Sequence, residues 1–491
     1  MRINITRKPI KINPDIKRVI ARFFFNGDER AKDVIGLVMS MDDKEVKEEV
    51  TFIFREFARR HRNISRVFER NCERLSYLFD QMNIPLADLD PTRKMLIGSY
   101  FTHEYSIESA AFFNPSIVDD PDQSDLQEGE KRVIISFRAV GEGHISSIVF
   151  RRAFLDAQNN ITIIPSGTLI EEANIIKNTV YKKDIFGTAL LSQLKNDIVD
   201  KLEKSLPDSF DYKQLKSVIT QLEIEDKIDD ETKYAFEKIL WIADSYHYIH
   251  FSLDTDISDR VIFPISEFEK KGVEDARFVK FTDEDGGIHY YATYTAYDGV
   301  TIQPKLLKTD NFYDFRVTPL YGSGAKNKNL ALFPRKINGN YVMISRIDGV
   351  NNFIMFSDKI NVWEYPKRLQ APKYPWEFTQ IGNCGSPIET DKGWLLITHG
   401  VGAMRRYCLG ASLFDINDPT IEIGRLKEPL LMPNDNEREG YVPNVLYSCG
   451  SFVHNGELIV PYGLSDYGSS FMSVSLNDLL DKIISEGTGS A

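Results

Sequence analysis

Cysteine is scarce: Cys72, Cys384, Cys408 and Cys449 are spread singly along 491 residues. No Cys-x-x-Cys pair occurs, which removes the usual frame of a structural zinc site. Four such isolated thiols make no disulfide framework either. Long apolar runs are also missing. No stretch of about 18 apolar residues appears, so no membrane-spanning helix is expected. Met1 to Asp15 alternates charge with single apolar residues and lacks the apolar core of a secretion signal, which points to a cytoplasmic protein. Positive charge is in deficit: 60 Lys and Arg face 72 Asp and Glu, a net charge of −12. A protein that tracks nucleic-acid phosphates carries a basic surface, so nucleic acid is not the expected partner, although a local basic pocket for one small anion is compatible with this balance. The nucleotide phosphate loop, the dinucleotide fingerprint, the H-E-x-x-H zinc motif and the G-x-S-x-G elbow are all absent. His247 and His250 have i,i+3 spacing but no supporting ligand set, so no metal is expected.

What the chain does have is a packed, aromatic-rich composition. The hydrophobic fraction is 42% and the charged fraction 27%, ordinary for a globular protein. Aromatics reach 12%, with 31 Phe and 22 Tyr. Such a content suits strand-rich cores and also sugar-binding clefts, where aromatic faces pack on the apolar faces of pyranose rings. The length suggests two to four units by the usual prior of roughly 100–200 residues per domain, unless one closed β architecture absorbs most of it.

Hydrophobic periodicity divides the chain. From about Asp42 to Met82, Val46, Val50, Ile53, Phe54 and Phe57 fall at helical spacing, with Asp42, Asp43 and Glu45 near the N-terminus where the helix dipole favours carboxylates. A break near His61–Asn63 precedes a second amphipathic stretch through Val67, Cys72, Leu75 and Leu78. Residues 1–95 therefore read as a helical N-terminal region. From about Met95 short β-rich runs follow: Arg132–Arg138, His144–Arg151, Ile161–Ile164, Ala276–Phe281, His289–Tyr297, Tyr341–Arg346, Trp394–Thr398 and Glu457–Pro461. Asp285–Gly286, Asp298–Gly299 and Asn338–Gly339 lie between several of them and are strong hairpin signals. Many short antiparallel strands imply a sandwich, barrel or propeller, and a propeller fits some 350 residues best. The propeller is expected over 96–475. It is interrupted over about 170–248 by a helical insertion with Leu191, Leu194, Ile198 and Leu202 on one face, and Pro207–Asp208 separates two of its helices. Residues 476–491 read as a C-terminal tail.

Three groups of residues could carry chemistry. The densest is Gly272-Val273-Glu274-Asp275-Ala276-Arg277-Phe278. Neighbours on a strand point to opposite faces, so Asp275 and Arg277 are expected on one face and Glu274 on the other. A carboxyl group that protonates a leaving oxygen needs a shaped site and a tuned pKa; a simple Asp–Arg turn staple uses the same residues. The second group is Lys326, Lys328, Arg335, Lys336 and Arg346, cations flanking two strands in an acidic chain. Such clusters bind phosphate, with Arg offering two parallel donors, or protect a solvated strand edge. The third is His399, which ends the apolar run Trp394–Thr398 and is followed by Gly400; a histidine there either faces a cleft or is structural.

Taken together, Phe113-Asn114-Pro115-Ser116, Ser136-Phe137-Arg138, Gly272–Arg277, Ala331-Leu332-Phe333-Pro334, Ser386–Thr390 with Gly393-Trp394, Thr398-His399-Gly400 and Glu439–Val445 resemble glycoside hydrolase family 130, the β-mannoside phosphorylases and mannosidases. They occur in the family's order from Asn114 to Asp466; the N-terminal helices and the 170–248 insertion are additions that look like a long subgroup. The resemblance implies a mainly β fold, a five-bladed β-propeller with its site at the mouth of the central channel, and an inverting reaction. Asp275 matches the family's single acid, although Ala276 stands where many members have Pro. That acid is thought to act on the glycosidic oxygen through a hydroxyl of the mannosyl unit, while phosphate attacks the anomeric carbon and yields α-mannose 1-phosphate.

The resemblance also implies that Asn114 and Arg138 hold the mannosyl unit, with Glu274, Asp298, Glu389 and Asp466 as further substrate contacts. Arg346 and His399 match phosphate-binding positions, and Lys328 and Arg335 are further candidates. Keeping Arg346 and His399 favours phosphorolysis. An inverting exo-β-mannosidase is the alternative, with Glu274, Glu389 or Asp298 as base, and a non-catalytic carbohydrate-binding propeller is a third. The implied partners are a mannose-containing oligosaccharide and inorganic phosphate as co-substrate, with no cofactor, no nucleic acid and no membrane. A homo-oligomer contacting through the N-terminal helices is a further expectation.

Overall fold

Short alternating strands joined by tight turns favour antiparallel meanders, because each turn returns the chain beside the strand just formed. The computed structural model describes residues 3–176, 180–183, 197–225, 228–266, 269–299 and 302–487, and it is mainly β. Five antiparallel meanders follow one another among the described residues. The first runs through Ala111–Asp119, Lys131–Val140 and Ser146–Leu155, with Ile161–Ile163 at its edge. The second runs through Gly272–Thr282, Ile288–Tyr297, Ile302–Thr309 and Asp314–Pro319, and a single parallel pair, Ser146 with Gly272, joins it to the first. The third comprises Ala331–Leu332, Tyr341–Ser345, Asn352–Ser357 and Lys367–Gln370, and the fourth Gln380–Asn383, Gly393–Val401, Tyr407–Phe414 and Glu422–Arg425. The fifth comprises Leu446–Tyr447, Glu457–Leu464, Gly468–Ser475 and, at its outer edge, Ile5–Ile12 from the other end of the chain.

The expected hairpin turns are present. Asn338 and Gly339 both have positive φ, 51° and 79°, and connect Ala331–Leu332 to Tyr341–Ser345. Asn tolerates that region and Gly has no Cβ to oppose it, so this dipeptide sets the register of the hairpin. Asp285–Gly286 and Asp298–Gly299 occupy the two first connections of the second meander.

Apolar clusters lie between neighbouring meanders in cyclic order. Phe150 of the first packs with Phe278, Phe312 and Phe315 of the second. Phe281 and Tyr291 of the second meet Leu332 and Met343 of the third. Phe333 and Ile344 meet Trp394 and Leu396 of the fourth, and Leu395 and Leu409 of the fourth meet Leu458 and Val460 of the fifth. Ile459 and Phe471 of the fifth then pack against Phe112 and Phe137 of the first. Each cluster is a continuous buried surface of the kind that dominates folding free energy.

Two regions differ from the sequence reading. Residues 1–95 are not wholly helical: Ile5–Ile12 and Val19–Phe23 are strands, the latter pairing with Thr102–Ser106. Helices Asp28–Ser40, Asp43–Phe57, Ile64–Glu73, Ser76–Gln81 and Pro91–Tyr100 make up the rest, packed around Ile35, Val50, Leu75, Phe79 and Ile97. Asp42 caps the second of these with Glu45 in a reciprocal capping box. Residues 476–487 are not a tail but the helix Leu476–Gly487, whose Leu479, Leu480 and Ile483 are buried in the cluster between the fourth and fifth meanders. In the insertion, helices Asp197–Ser205, Tyr212–Glu225 and Asp230–Asp244 share a separate core with Leu202 buried in it, and Leu191 and Leu194 lie outside the described residues. No helix among the described residues is long and apolar enough to cross a membrane.

A buried charge cluster fastens the N-terminal segment to the first meander. Glu108 accepts from Arg18 Nε at 2.7 Å and from Arg151 Nη2 at 2.8 and 2.9 Å, with all three side chains buried. Removing the carboxylate leaves two guanidinium groups without their counter-charge in a dry site. Glu108→Ala is therefore expected to lose about 3–5 kcal/mol of stability, read from the shift of a urea denaturation midpoint; a loss below about 1 kcal/mol contradicts this role.

Candidate active site

The inner strands of the five meanders bring their polar residues together, and irregular backbone is concentrated there. Asn114, Asp275, Asn327, Asn329, Asn444, Ser465 and Asp466 all have positive φ. Such conformations cost free energy outside glycine and persist where surrounding contacts hold them. At Asp275 the cause is a bulge: Glu274 pairs with Thr295, the ladder resumes with Arg277 against Thr293, and Asp275 has φ 55°. Strict alternation separates the two carboxylates. The extra residue re-aims Asp275, so both turn to one guanidinium, against the expectation that Glu274 lies on the other face. Arg138 Nη2 donates to Glu274 Oε1 at 2.6 Å, and its Nη1 lies 3.6 Å from Asp275 Oδ1. Asn114, at a matching irregularity of the first meander, donates from Nδ2 to Asp275 Oδ1 at 2.7 Å. Lys328 Nζ completes the group on Glu274 Oε2 at 2.7 Å.

Arg277 does not staple the Asp275 carboxylate. It donates to the Asp275 carbonyl at 3.1 Å and to Tyr447 Oη at 2.6 Å. Tyr447 also exchanges hydrogen bonds with Asn329, which donates to the Asn383 carbonyl at 3.0 Å. Neither Tyr447 nor Asn383 was singled out in the sequence. Tyr447 lies two residues past the Glu439–Val445 motif, and Asn329 follows Lys328 of the cation group, so adjacency to these residues was the available signal.

Arg346 and His399 meet on the far side of Tyr447. Arg346 Nη1 lies 3.2 Å from His399 Nε2, and the His399 ring sits 4.7 Å from that of Tyr447. Burial, reinforced by Arg346 and Arg277, holds the His399 imidazole far below its usual pKa, so it is neutral. Its Nδ1 lies 3.2 Å from the Asn383 carbonyl, which can only accept. Nδ1 thus carries the proton, and Nε2 accepts from Arg346. Both ring nitrogens have protein partners, which changes the expectation of a direct phosphate donor. Gly382 permits this packing, since a Cβ there would stand 2.3 Å from His399 Cε1. Arg346 has no carboxylate partner among the described residues, and its Nε is buried without a hydrogen bond.

Two expected site residues lie elsewhere. Arg335 and Glu389 bind each other through two hydrogen bonds of 2.7 and 2.8 Å, with Arg335 5.0 Å over the Trp394 ring. They line a cavity of about 300 Å³ with Asp119 and Lys280. These lie five residues beyond Asn114 and Asp275 on the same strands, about 16 Å along an extended chain. Asp298 follows Tyr297, whose ladder partner is Gly272, and so lies at the same end of the sheet as Glu274. No group of His, Cys, Asp and Glu able to hold a metal occurs among the described residues.

The carboxylates differ in proton affinity. Burial works to raise Asp275, but Arg138, Arg277 and Lys328, helped by the Asn114 hydrogen bond, hold it below its ordinary value. Asp466, in the turn between Glu457–Leu464 and Gly468–Ser475, is pushed up to about 6 by burial and by Asp275 and Glu274, against Arg138 and Arg405. Its folded-state pKa exceeds the unfolded value, so its favourable contribution is full at low pH and is lost as the pH rises through about 6. Asp466→Asn is therefore expected to gain melting temperature relative to wild type between about pH 4 and pH 8, measured by scanning fluorimetry; a difference independent of pH contradicts the assignment.

A family model described as beta-1,4-mannooligosaccharide phosphorylase matches residues 229–485, more than half of the chain. The 1,2-beta-oligomannan phosphorylase of Thermoanaerobacter sp. (strain X514) is 39% identical over 207 residues, covering 41% of this chain and 67% of its own length. The beta-1,2-mannobiose phosphorylase of Listeria innocua serovar 6a is 29% identical over 244 residues, covering 48% and 65%. The chain thus spans about two thirds of these curated relatives. The solved structure of a beta-1,2-mannobiose phosphorylase from Listeria innocua with beta-1,2-mannobiose has 22% identity and a TM-score of 0.45 over 78% of this chain and 94% of that one. On the extent of the family match, together with the shared motifs, the chain belongs to glycoside hydrolase family 130.

Proposed function

We propose that the protein is an inverting phosphorylase of β-mannosides that transfers the mannosyl unit to inorganic phosphate and releases α-mannose 1-phosphate. The observation that carries it is the charge arrangement. Arg138 and Lys328 bind the Glu274 and Asp275 carboxylates, and Arg277 and Arg346 stand beside them with no carboxylate ion pair of their own among the described residues. In a chain of net charge −12, a phosphate dianion needs such a local excess to bind beside an electron-rich sugar. The relatives support the sugar class, being named for β-1,2- and β-1,4-mannosides alike. The linkage used by this chain is a separate question from the class.

On this reading the five meanders are the blades of a five-bladed propeller. The cyclic order of the apolar clusters supports it, as does the entry of Ile5–Ile12 into the fifth meander. Asn114, Arg138 and Asp466 hold the mannosyl unit, and Arg346 holds phosphate, oriented by neutral His399 behind it. The balance is mannosyl–OR + HPO₄²⁻ → mannosyl–OPO₃²⁻ + HOR. The bond from the anomeric carbon to the leaving oxygen breaks, one to a phosphate oxygen forms on the opposite face, and the proton of hydrogen phosphate ends on the leaving oxygen. Asp275 is the relay for that proton. Cations lower its proton affinity, and a bound anion offsets their field and raises it again. The hydrolase alternative needs a free base. Of its candidate bases, Glu274 is engaged by Arg138 and Lys328 and Glu389 by Arg335, which disfavours those two and leaves Asp298. A purely sugar-binding module gives no reason for a carboxylate set among three cations.

Asp275→Asn is expected to lose roughly 10²–10⁴ in turnover while keeping its circular dichroism spectrum; activity within a few-fold of wild type removes Asp275 as the relay. Arg346→Ala is expected to raise KM for phosphate about tenfold or more while largely sparing KM for the mannoside, because it removes charge-assisted hydrogen bonds to the anion alone. Steady-state kinetics with the two substrates varied independently separate these effects, and equal changes in both constants contradict the assignment.

A further inference from the structure

A second cavity, sharing no residue with the site above, opens between the N-terminal helices and the insertion's first strands. Its volume is about 300 Å³, within the range for a small ligand and large enough for a phosphorylated hexose. Three arginines line it. Arg66 and Arg70 lie one turn apart on the helix Ile64–Glu73, and Arg62, two residues before that helix, also lines the cavity. Arg66 is exposed and makes no hydrogen bond or ion pair among the described residues. Arg62 is held by Asp254 through Nη2 at 2.8 Å, while its Nε is enclosed without a partner. Arg70 stands 3.5 Å from Glu172. The helix adds its positive end, since its N-cap Asn63 makes no side-chain capping bond.

Acceptors and mixed polar groups line the cavity too: Glu171, Glu172, Asn174 and His250. Glu171 receives Ser252 Oγ at 2.7 Å, and His250 Nδ1 lies 2.6 Å from Asp314, so these side chains are already oriented. A cavity lined by both guanidinium groups and carboxylates suits a molecule that carries an anionic group and hydroxyl groups together. Arginines take the oxygens of a phosphate, carboxylates accept from hydroxyl groups, and the compact volume selects a single sugar ring. We propose that this cavity binds a phosphomonoester of a monosaccharide, with Arg62, Arg66 and Arg70 on the phosphate and Glu171 and Glu172 on the sugar hydroxyls.

D-glucose 6-phosphate is a suitable probe, because the reaction proposed above neither consumes nor releases it. Isothermal titration of the full-length protein is expected to show saturable binding of one molecule per chain. Arg66→Glu is expected to weaken it by about tenfold or more, and Arg66→Ala by a smaller factor, since each removes a charge-assisted contact and the first also repels the anion. Arg66 is exposed, and near-ultraviolet circular dichroism verifies that both variants keep the fold. Arg346→Ala is expected to leave the affinity unchanged. Absence of saturable binding in wild type, undiminished binding by both Arg66 variants, or loss of binding in Arg346→Ala overturns the proposal. The last outcome places the anion in the candidate active site and leaves the proposed function standing.

Discussion

One guanidinium shared between two carboxylates is the constraint on which the site depends. Arg138 holds Glu274 and Asp275 together, although they are consecutive on a strand whose regular pleat sends them apart. The bulge that permits this leaves Asp275 at positive φ, and Asn114, itself at positive φ, pins the carboxylate from the neighbouring meander. Two unfavourable backbone conformations are thus maintained by three polar contacts. A carboxylate fixed in this way needs little reorganisation when a sugar arrives, and preorganisation of this kind is where much catalytic stabilisation originates.

The rest of the fold keeps that contact set in place. The innermost residues come from different meanders: Asn114 and Arg138 from the first, Asp275 and Arg277 from the second, Asn329 before the third, Asn383 and His399 from the fourth and Tyr447 from the fifth. Their relative positions depend on the apolar clusters between the meanders and on the pairing of Ile5–Ile12 with Gly468–Ser475, which ties the first residues of the chain to the last sheet. The Arg18–Glu108–Arg151 cluster anchors the connection from that strand into the first meander.

Much of this was legible in the sequence where the signal is local. Runs such as Arg132–Arg138 and His289–Tyr297 read as strands, within the observed Lys131–Val140 and Ile288–Tyr297, and Asn338–Gly339 as a turn, because each depends on residues within a few positions. The strand Ile5–Ile12 carried an alternating pattern too, but its partner lies more than 450 residues away and Pro9 weakens the strand signal. The Asp275 bulge was illegible for a related reason: one extra residue in a ladder is decided by the partner strand, and pattern reading assumes a regular pleat. Arg335 and Arg346 are both cations beside strands of the third meander. Only the folded chain separates the one neutralised by Glu389 from the one resting on a neutral histidine.

The central claim is that phosphate, rather than water, receives the mannosyl unit at a site where an arginine without a carboxylate partner adjoins a buried carboxylate. The direct measurement is phosphorus-31 and proton NMR of a β-mannobiose digest, run with and without inorganic phosphate. The account predicts α-mannose 1-phosphate as the first product, formed only when phosphate is present, with negligible free mannose from the transferred unit. Release of free mannose at the same rate with and without phosphate would contradict it.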